Sequence, residues 1–128
     1  MCRGEIKKIK SKSFIQDEQK KIIVIDDDPI IRQATINLLL STMKNFNTYY
    51  EIVEGSDGKD IIELVTYETD NLIKLIITDE NMITMMGSEA IRAISAIREK
   101  NDILVVSITA MEDEEGLKNI YESGADIV

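Results

Sequence analysis

Histidine is absent from this chain of 128 residues, and no other absence removes as much chemistry. Without an imidazole there is no phosphohistidine donor, no histidine general base and no histidine metal ligand. Most hydrolase triads and histidine zinc sites are therefore excluded. Cysteine occurs once, at Cys2, which leaves neither a disulfide framework nor a thiolate metal site and suits a reducing compartment. A cytoplasmic location is the expectation. No unbroken apolar stretch approaches the roughly 20 residues that a membrane helix needs. The N-terminal segment lacks both the apolar centre of a signal peptide and a glycine at position 2 for myristoylation. Chemistry is left to carboxylates, hydroxyls and lysine.

What is present is enough for one soluble domain, since 44% of the residues are apolar. Charge is divided unevenly. Residues 1–20 carry six Lys/Arg against three Asp/Glu, whereas residues 21–128 carry nine against twenty-one. The acidic part repels nucleic acid, so no nucleic-acid contact is expected through it. The basic leader, residues 1–20, is read as a solvated linker rather than a phosphate or membrane-surface patch.

The acidic residues are concentrated in two places. Ile22-Ile23-Val24-Ile25 is followed by Asp26-Asp27-Asp28, and Leu75-Ile76-Ile77-Thr78 is followed by Asp79. Both clusters sit at the carboxyl end of an apolar β-type run. In a parallel α/β sheet those ends line one crevice, so residues as far apart in sequence as Asp27 and Asp79 can meet there. Carboxylates meeting without histidine or cysteine favour a hard, oxygen-loving cation such as Mg²⁺. Helix N-capping is the plainer reading; it explains one Asp per turn well and a run of three poorly.

The rest of the chain alternates strand and helix signals, the pattern of βα units around a parallel sheet. Strands are predicted at Lys21–Ile25, Tyr49–Val53, Leu72–Thr78 and Ile103–Ile108, with a fifth beginning at Ala125–Val128. Helices are predicted from Asp28-Pro29 to about Lys44, from the Gly55-Ser56-Asp57-Gly58 turn to about Tyr67, over Ser88–Lys100, and from Glu112–Glu115 to Gly124. In the first helix Ile31, Ala34 and Leu38 repeat on one face. The fourth strand, apolar but for Ser107, reads as buried on both faces, with Ser107 a buried and satisfied hydroxyl. Methionines 82, 85 and 86 are read as adaptable packing.

These residues resemble the receiver domain of two-component response regulators over about residues 21–128. The resemblance rests on order and spacing together: Ile-Asp-Asp-Asp-Pro after strand one, Ile-Ile-Thr-Asp-Glu-Asn-Met after strand three, Gly87 eight residues after Asp79, Ser-Ile-Thr-Ala after strand four, and a final Gly-Ala-Asp. It implies a flavodoxin-like, doubly wound parallel sheet of order 2-1-3-4-5. It further implies that Asp79 accepts a phosphoryl group, that Asp26, Asp27 and Asp79 bind Mg²⁺ with the backbone carbonyl of Asn81, and that Thr109 is a switch hydroxyl. The implied partner is a phosphohistidine donor, a histidine kinase or phosphotransfer protein, and the implied role is signalling rather than enzymatic turnover. Taken singly, Thr109 also reads as a strand-end hydroxyl, Asn81 as a loop residue and Gly87 as a turn glycine. Asp28, before Pro29, is read as a helix cap.

The chain departs from the family pattern in several places. Ile83 stands where a proline is usual, Met86 where an acid is frequent, and Val128 where the aromatic switch residue is frequent. The family lysine that pairs with the phosphoryl group falls three residues past Val128, and the last helix lies beyond it too. The expectation is therefore a C-terminally incomplete receiver, a fragment of a longer chain such as the tail of a hybrid histidine kinase. A haloacid-dehalogenase-like phosphatase using Asp26 and Asp28 is the competing enzyme reading. A degenerate, non-phosphorylated interaction module is the competing binding one.

Overall fold

A computed structural model of the chain describes residues 19–68, 70–110 and 112–128. The basic leader lies outside the described residues except for its last two, and so does Cys2. The described chain runs β1 (Lys21–Ile25), α1 (Pro29–Asn45), β2 (Glu51–Gly55), α2 (Gly58–Tyr67), β3 (Ile73–Asp79), α3 (Gly87–Ala93), α4 (Ser95–Asn101), β4 (Leu104–Ile108) and α5 (Glu114–Ser123). The strands form one parallel sheet of order β2-β1-β3-β4. After α5 the chain returns beside β4, where Ser107 N–H donates to the Ile127 carbonyl at 2.9 Å and Asp126 N–H to the Val105 carbonyl at 2.9 Å. A single parallel bridge, Val106 with Ile127, thus stands where the fifth strand was predicted and extends the order to 2-1-3-4-5.

Local chemistry explains most boundaries. Asp28 caps α1, its Oδ1 accepting from the N–H groups of Ile30 at 2.9 Å and Ile31 at 3.4 Å, with Pro29 in the first turn. Asp57 and Asp60 make a reciprocal capping box at α2. Gly124 ends α5 at φ 117°, a left-handed conformation that costs glycine no Cβ clash. The helix predicted over 88–100 is divided at Ile94, whose backbone (φ −98°, ψ 10°) leaves the helical region for one residue.

The sheet is covered unequally. Helices α2 to α5 bury Ile23, Ile25, Ile76 and Val105 on one face, with Ile61, Ile91 and Ile120 packed onto them. The other face, centred on Ile22, Val24 and Ile77, is met by α1 through Ile36. Two expectations are corrected here. The Ile31, Ala34 and Leu38 stripe of α1 faces solvent, and Ile36, Leu39 and Met43 face inward. Apolar residues occur all round α1, so helical periodicity does not select the buried stripe. β4 is also not buried on both faces, because α1 lies against β1 and leaves Leu104 and Ile108 exposed at 46% and 47%.

Ser107 is buried as expected, yet its Oγ has no hydrogen-bond partner among the described residues. An unpaired buried hydroxyl costs about 1–3 kcal/mol. Ser107→Ala is therefore expected to raise the melting temperature by at least about 2–5 °C in a thermal scan, the shift that ~1 kcal/mol produces in a domain of this length. A fall would mean that the hydroxyl is satisfied.

Lys21 and Glu68 tie the start of β1 to the end of α2 through a 2.8 Å ion pair. Its hydrogen bond raises the Lys21 pKa above 10.5 and lowers that of Glu68 below 4.5. The depressed carboxyl stabilises the fold above its unfolded pKa and loses that contribution as pH falls through the folded one. The raised amine stabilises below its unfolded pKa and loses it as pH climbs through the folded one. The pair thus acts between about pH 4.5 and 10.5. Lys21→Met is expected to cost about 0.5–1 kcal/mol in that window and progressively less as pH falls below it, measured by urea unfolding.

Candidate functional site

β1 and β3 are adjacent, and their register pairs Ile25 with Thr78. Asp26 and Asp79 are the next residues on the two strands, so they emerge side by side at the carboxyl edge. Asp27 follows in the turn before α1. One carboxylate oxygen from each of Asp26, Asp27 and Asp79 lies within 4.8 Å of the others. Asp26 is buried, Asp79 half-buried and Asp27 exposed, so the cluster opens to solvent on one side. Oxygens bound about 2.1 Å from a single octahedral cation are separated by about 3–4 Å, so this set needs only small side-chain rotations to close on one.

The electrostatics are those of an uncompensated acidic site. Burial pushes the Asp26 carboxyl above the ordinary aspartate range. The N–H of Asp28, 2.9 Å from its Oδ1, pulls the other way, the charges of Asp27 and Asp28 add to the rise, and Arg32 subtracts from it. Burial likewise raises Asp79. The Glu80 N–H at 2.8 Å opposes it, Asp26 and Asp27 push further up, and the Asn81 N–H works downward. Both shifts reflect negative charge held in too little solvent, which a bound cation relieves.

The remaining predicted residues take definite places. Thr109 follows Ile108, the register partner of Asp79, and is half-buried at the same edge. Asn81 is exposed in the loop after Asp79. Asp28 does not join the cluster; its Oδ1 is engaged at the α1 terminus. Val128 packs against the larger core.

Four residues that shape the site were missed in the sequence. Asp57 accepts from the N–H groups of Thr84 at 2.9 Å and Met85 at 3.1 Å, fixing the loop after β3 to the start of α2. Burial alone would raise its pKa, but those N–H groups and that of Lys59 outweigh it and hold the carboxyl low. Arg32 donates from Nη1 to the Asp26 carbonyl at 2.6 Å and from Nε to Glu54 at 3.0 Å. Glu80 and Ser88 bind one another beneath the loop. The Asp57-x-x-Asp60 spacing is a capping-box signal and was available; the contacts across to the loop had no local signal.

The response regulator receiver domain model matches residues 22–128. The chain belongs to that family. Receivers are signalling modules of two-component systems. Among the relatives of this receiver is the transcriptional regulatory protein CrdR of Helicobacter pylori, 33% identical over 113 residues, covering 84% of this chain and 46% of the regulator. A CheY homolog of Campylobacter jejuni is 27% identical over 89 residues, 70% of this chain and 63% of that one. The receiver thus spans about half the length of the first of these. Among solved structures, a receiver protein from Pseudomonas putida superposes with a TM-score of 0.68 at 22% identity, covering 88% of this chain and 85% of its own. The Ssk1 receiver domain of Saccharomyces cerevisiae, solved with the histidine phosphotransfer protein Ypd1, gives 0.65 at 17% identity, covering 86% and 77%. These likenesses establish the fold. No described helix of the receiver is long and apolar enough to cross a membrane.

Proposed function

We propose that this receiver accepts a phosphoryl group on Asp79 in a Mg²⁺-dependent His-to-Asp phosphorelay in the cytoplasm. The observation that carries the reading is the convergence of Asp26, Asp27 and Asp79 within 4.8 Å at the carboxyl edge of the sheet. An Asp79 oxygen attacks the donor phosphorus as the P–N bond breaks, and the bonding pair leaves with the donor imidazole. Asp26, Asp27 and Asp79, with the Asn81 carbonyl, are assigned to hold the cation. Bound Mg²⁺ would supply the positive charge that lets a carboxylate approach a phosphoryl group. Thr109 is assigned to donate its hydroxyl to a phosphoryl oxygen once the acyl phosphate forms.

The donor histidine lies outside these 128 residues, since they contain none. The likeness to a receiver solved with a phosphotransfer protein supports a separate donor protein as partner. The face of α5 bearing Glu114, Glu115 and Glu122 is assigned as the surface whose affinity for a basic partner changes on phosphorylation. The net charge of −12 over residues 21–128, nine Lys/Arg against twenty-one Asp/Glu, speaks against nucleic-acid contact through this domain. The dehalogenase-like reading loses its acid/base, because Asp28 is engaged as a cap. A binding module without phosphorylation does not account for the three convergent carboxylates.

The test is incubation with acetyl phosphate and Mg²⁺, read by intact mass and peptide mapping. One added phosphoryl group, dependent on Mg²⁺ and mapped to Asp79, is the expected result. Asp27→Ala is expected to weaken Mg²⁺ binding at least about tenfold by calorimetry, as loss of one charged ligand of three implies. Equal affinity in both proteins overturns the metal assignment, and an unmodified wild-type chain overturns the phosphoacceptor.

A further inference from the structure

Glu80 follows the acceptor directly and is only 2% exposed, an expensive position for a carboxylate unless its oxygens are occupied. They are. Oε1 accepts from the Ser88 N–H at 2.7 Å and Oε2 from the Ser88 hydroxyl at 2.7 Å. The Glu80 carbonyl accepts from the Gly87 N–H at 3.0 Å, so three bonds join this one residue to the beginning of α3. They fix the 79–80 peptide, whose N–H donates to Asp79 Oδ1 at 2.8 Å. The orientation of the Asp79 carboxylate is therefore set by a peptide that a buried side chain anchors.

We propose that Glu80 is a positioning residue for Asp79, acting through a latch with Ser88; this rests on the phosphoacceptor reading above. The latch works by geometry rather than charge. Glutamine has the same shape: its carbonyl accepts from the Ser88 N–H, and its amide donates to the Ser88 oxygen, which is able to accept. Glu80→Gln therefore preserves both links with the charge removed. Glu80→Ala removes both, and Ser88→Ala removes one.

The experiment measures two quantities in the full chain: the phosphorylation rate at saturating acetyl phosphate with Mg²⁺, and Mg²⁺ affinity by calorimetry without a phosphodonor. Glu80→Ala is expected to lower the saturating rate about 10- to 100-fold, the scale of misplacing a reacting group by about 1 Å. Mg²⁺ affinity falls with it. Ser88→Ala is expected to show a smaller loss of the same kind, and Glu80→Gln to stay within about twofold of wild type on both readouts. If Glu80→Ala does not fold, the Ser88→Ala and Glu80→Gln pair decides. A folded Glu80→Ala or Ser88→Ala chain that matches wild type overturns the proposal, and so does a glutamine variant as impaired as the alanine one. Should wild type accept no phosphoryl group, the phosphoacceptor reading fails, while Mg²⁺ affinity lost in Glu80→Ala and regained in Glu80→Gln still supports the latch.

Discussion

Asp79→Asn is expected to take up no phosphoryl group from acetyl phosphate while becoming more heat-stable in metal-free buffer. The first effect is complete because an amide oxygen is not a nucleophile for phosphorus at neutral pH. The second follows from the direction of the pKa shift. A carboxyl whose pKa is raised on folding opposes the folded state above that pKa, where it is charged, and a neutral isostere removes the opposition. The melting temperature should rise, by an amount that grows as pH climbs above the ordinary aspartate range. Saturating Mg²⁺ should erase the advantage by stabilising the wild type. Two readouts moving in opposite directions distinguish a lost functional charge from a damaged fold. A variant that still gains phosphoryl mass would place the acceptor elsewhere; one that melts lower would mean that Asp79 is a structural residue.

Gly87→Ala is expected to cost about 3 kcal/mol and to lower the phosphorylation rate together with stability. A Cβ at Gly87 would lie 2.3 Å from the Asp79 carbonyl oxygen and 3.3 Å from Glu80 Oε1. Neither neighbour yields easily, because the first is backbone and the second is held by Ser88. Relief requires the beginning of α3 to move away from the end of β3, which breaks the Gly87 to Glu80 backbone bond. Asp79 then loses the support of the 79–80 peptide. Urea unfolding with acetyl phosphate labelling measures both effects. A melting temperature within about 2 °C of wild type would show that the loop absorbs the methyl group.

The element order and much of the site were legible because they depend on short-range chemistry. Apolar runs mark β1 and β3, Asp28-Pro29 marks the opening of α1, and Gly124 marks the end of α5. Asp26, Asp27 and Asp79 followed from placement at strand ends, since the parallel arrangement brings carboxyl ends together whatever their separation in sequence. Misreadings arose where sequence periodicity had two solutions. α1 carries apolar residues on both sides, and contact with β1 selects Ile36 over Leu38 as the one to bury. The apolar run of β4 suggested burial on both faces, which depends on where α1 rests rather than on β4 itself.

Residue types and their order therefore settled the class of the fold, the exclusion of imidazole chemistry from these 128 residues, and the identity of the acidic triad. The support around that triad belongs to the folded chain. Asp57 reaches Thr84 and Met85 across 27 and 28 residues, and Glu80 reaches Ser88 across a loop that carries Ile83 where the family usually has proline. A hydrogen bond is specified by the distance and angle between two groups, and composition and periodicity carry neither. Chain packing supplies both, and it alone turns an acid in a loop into the anchor of its neighbour.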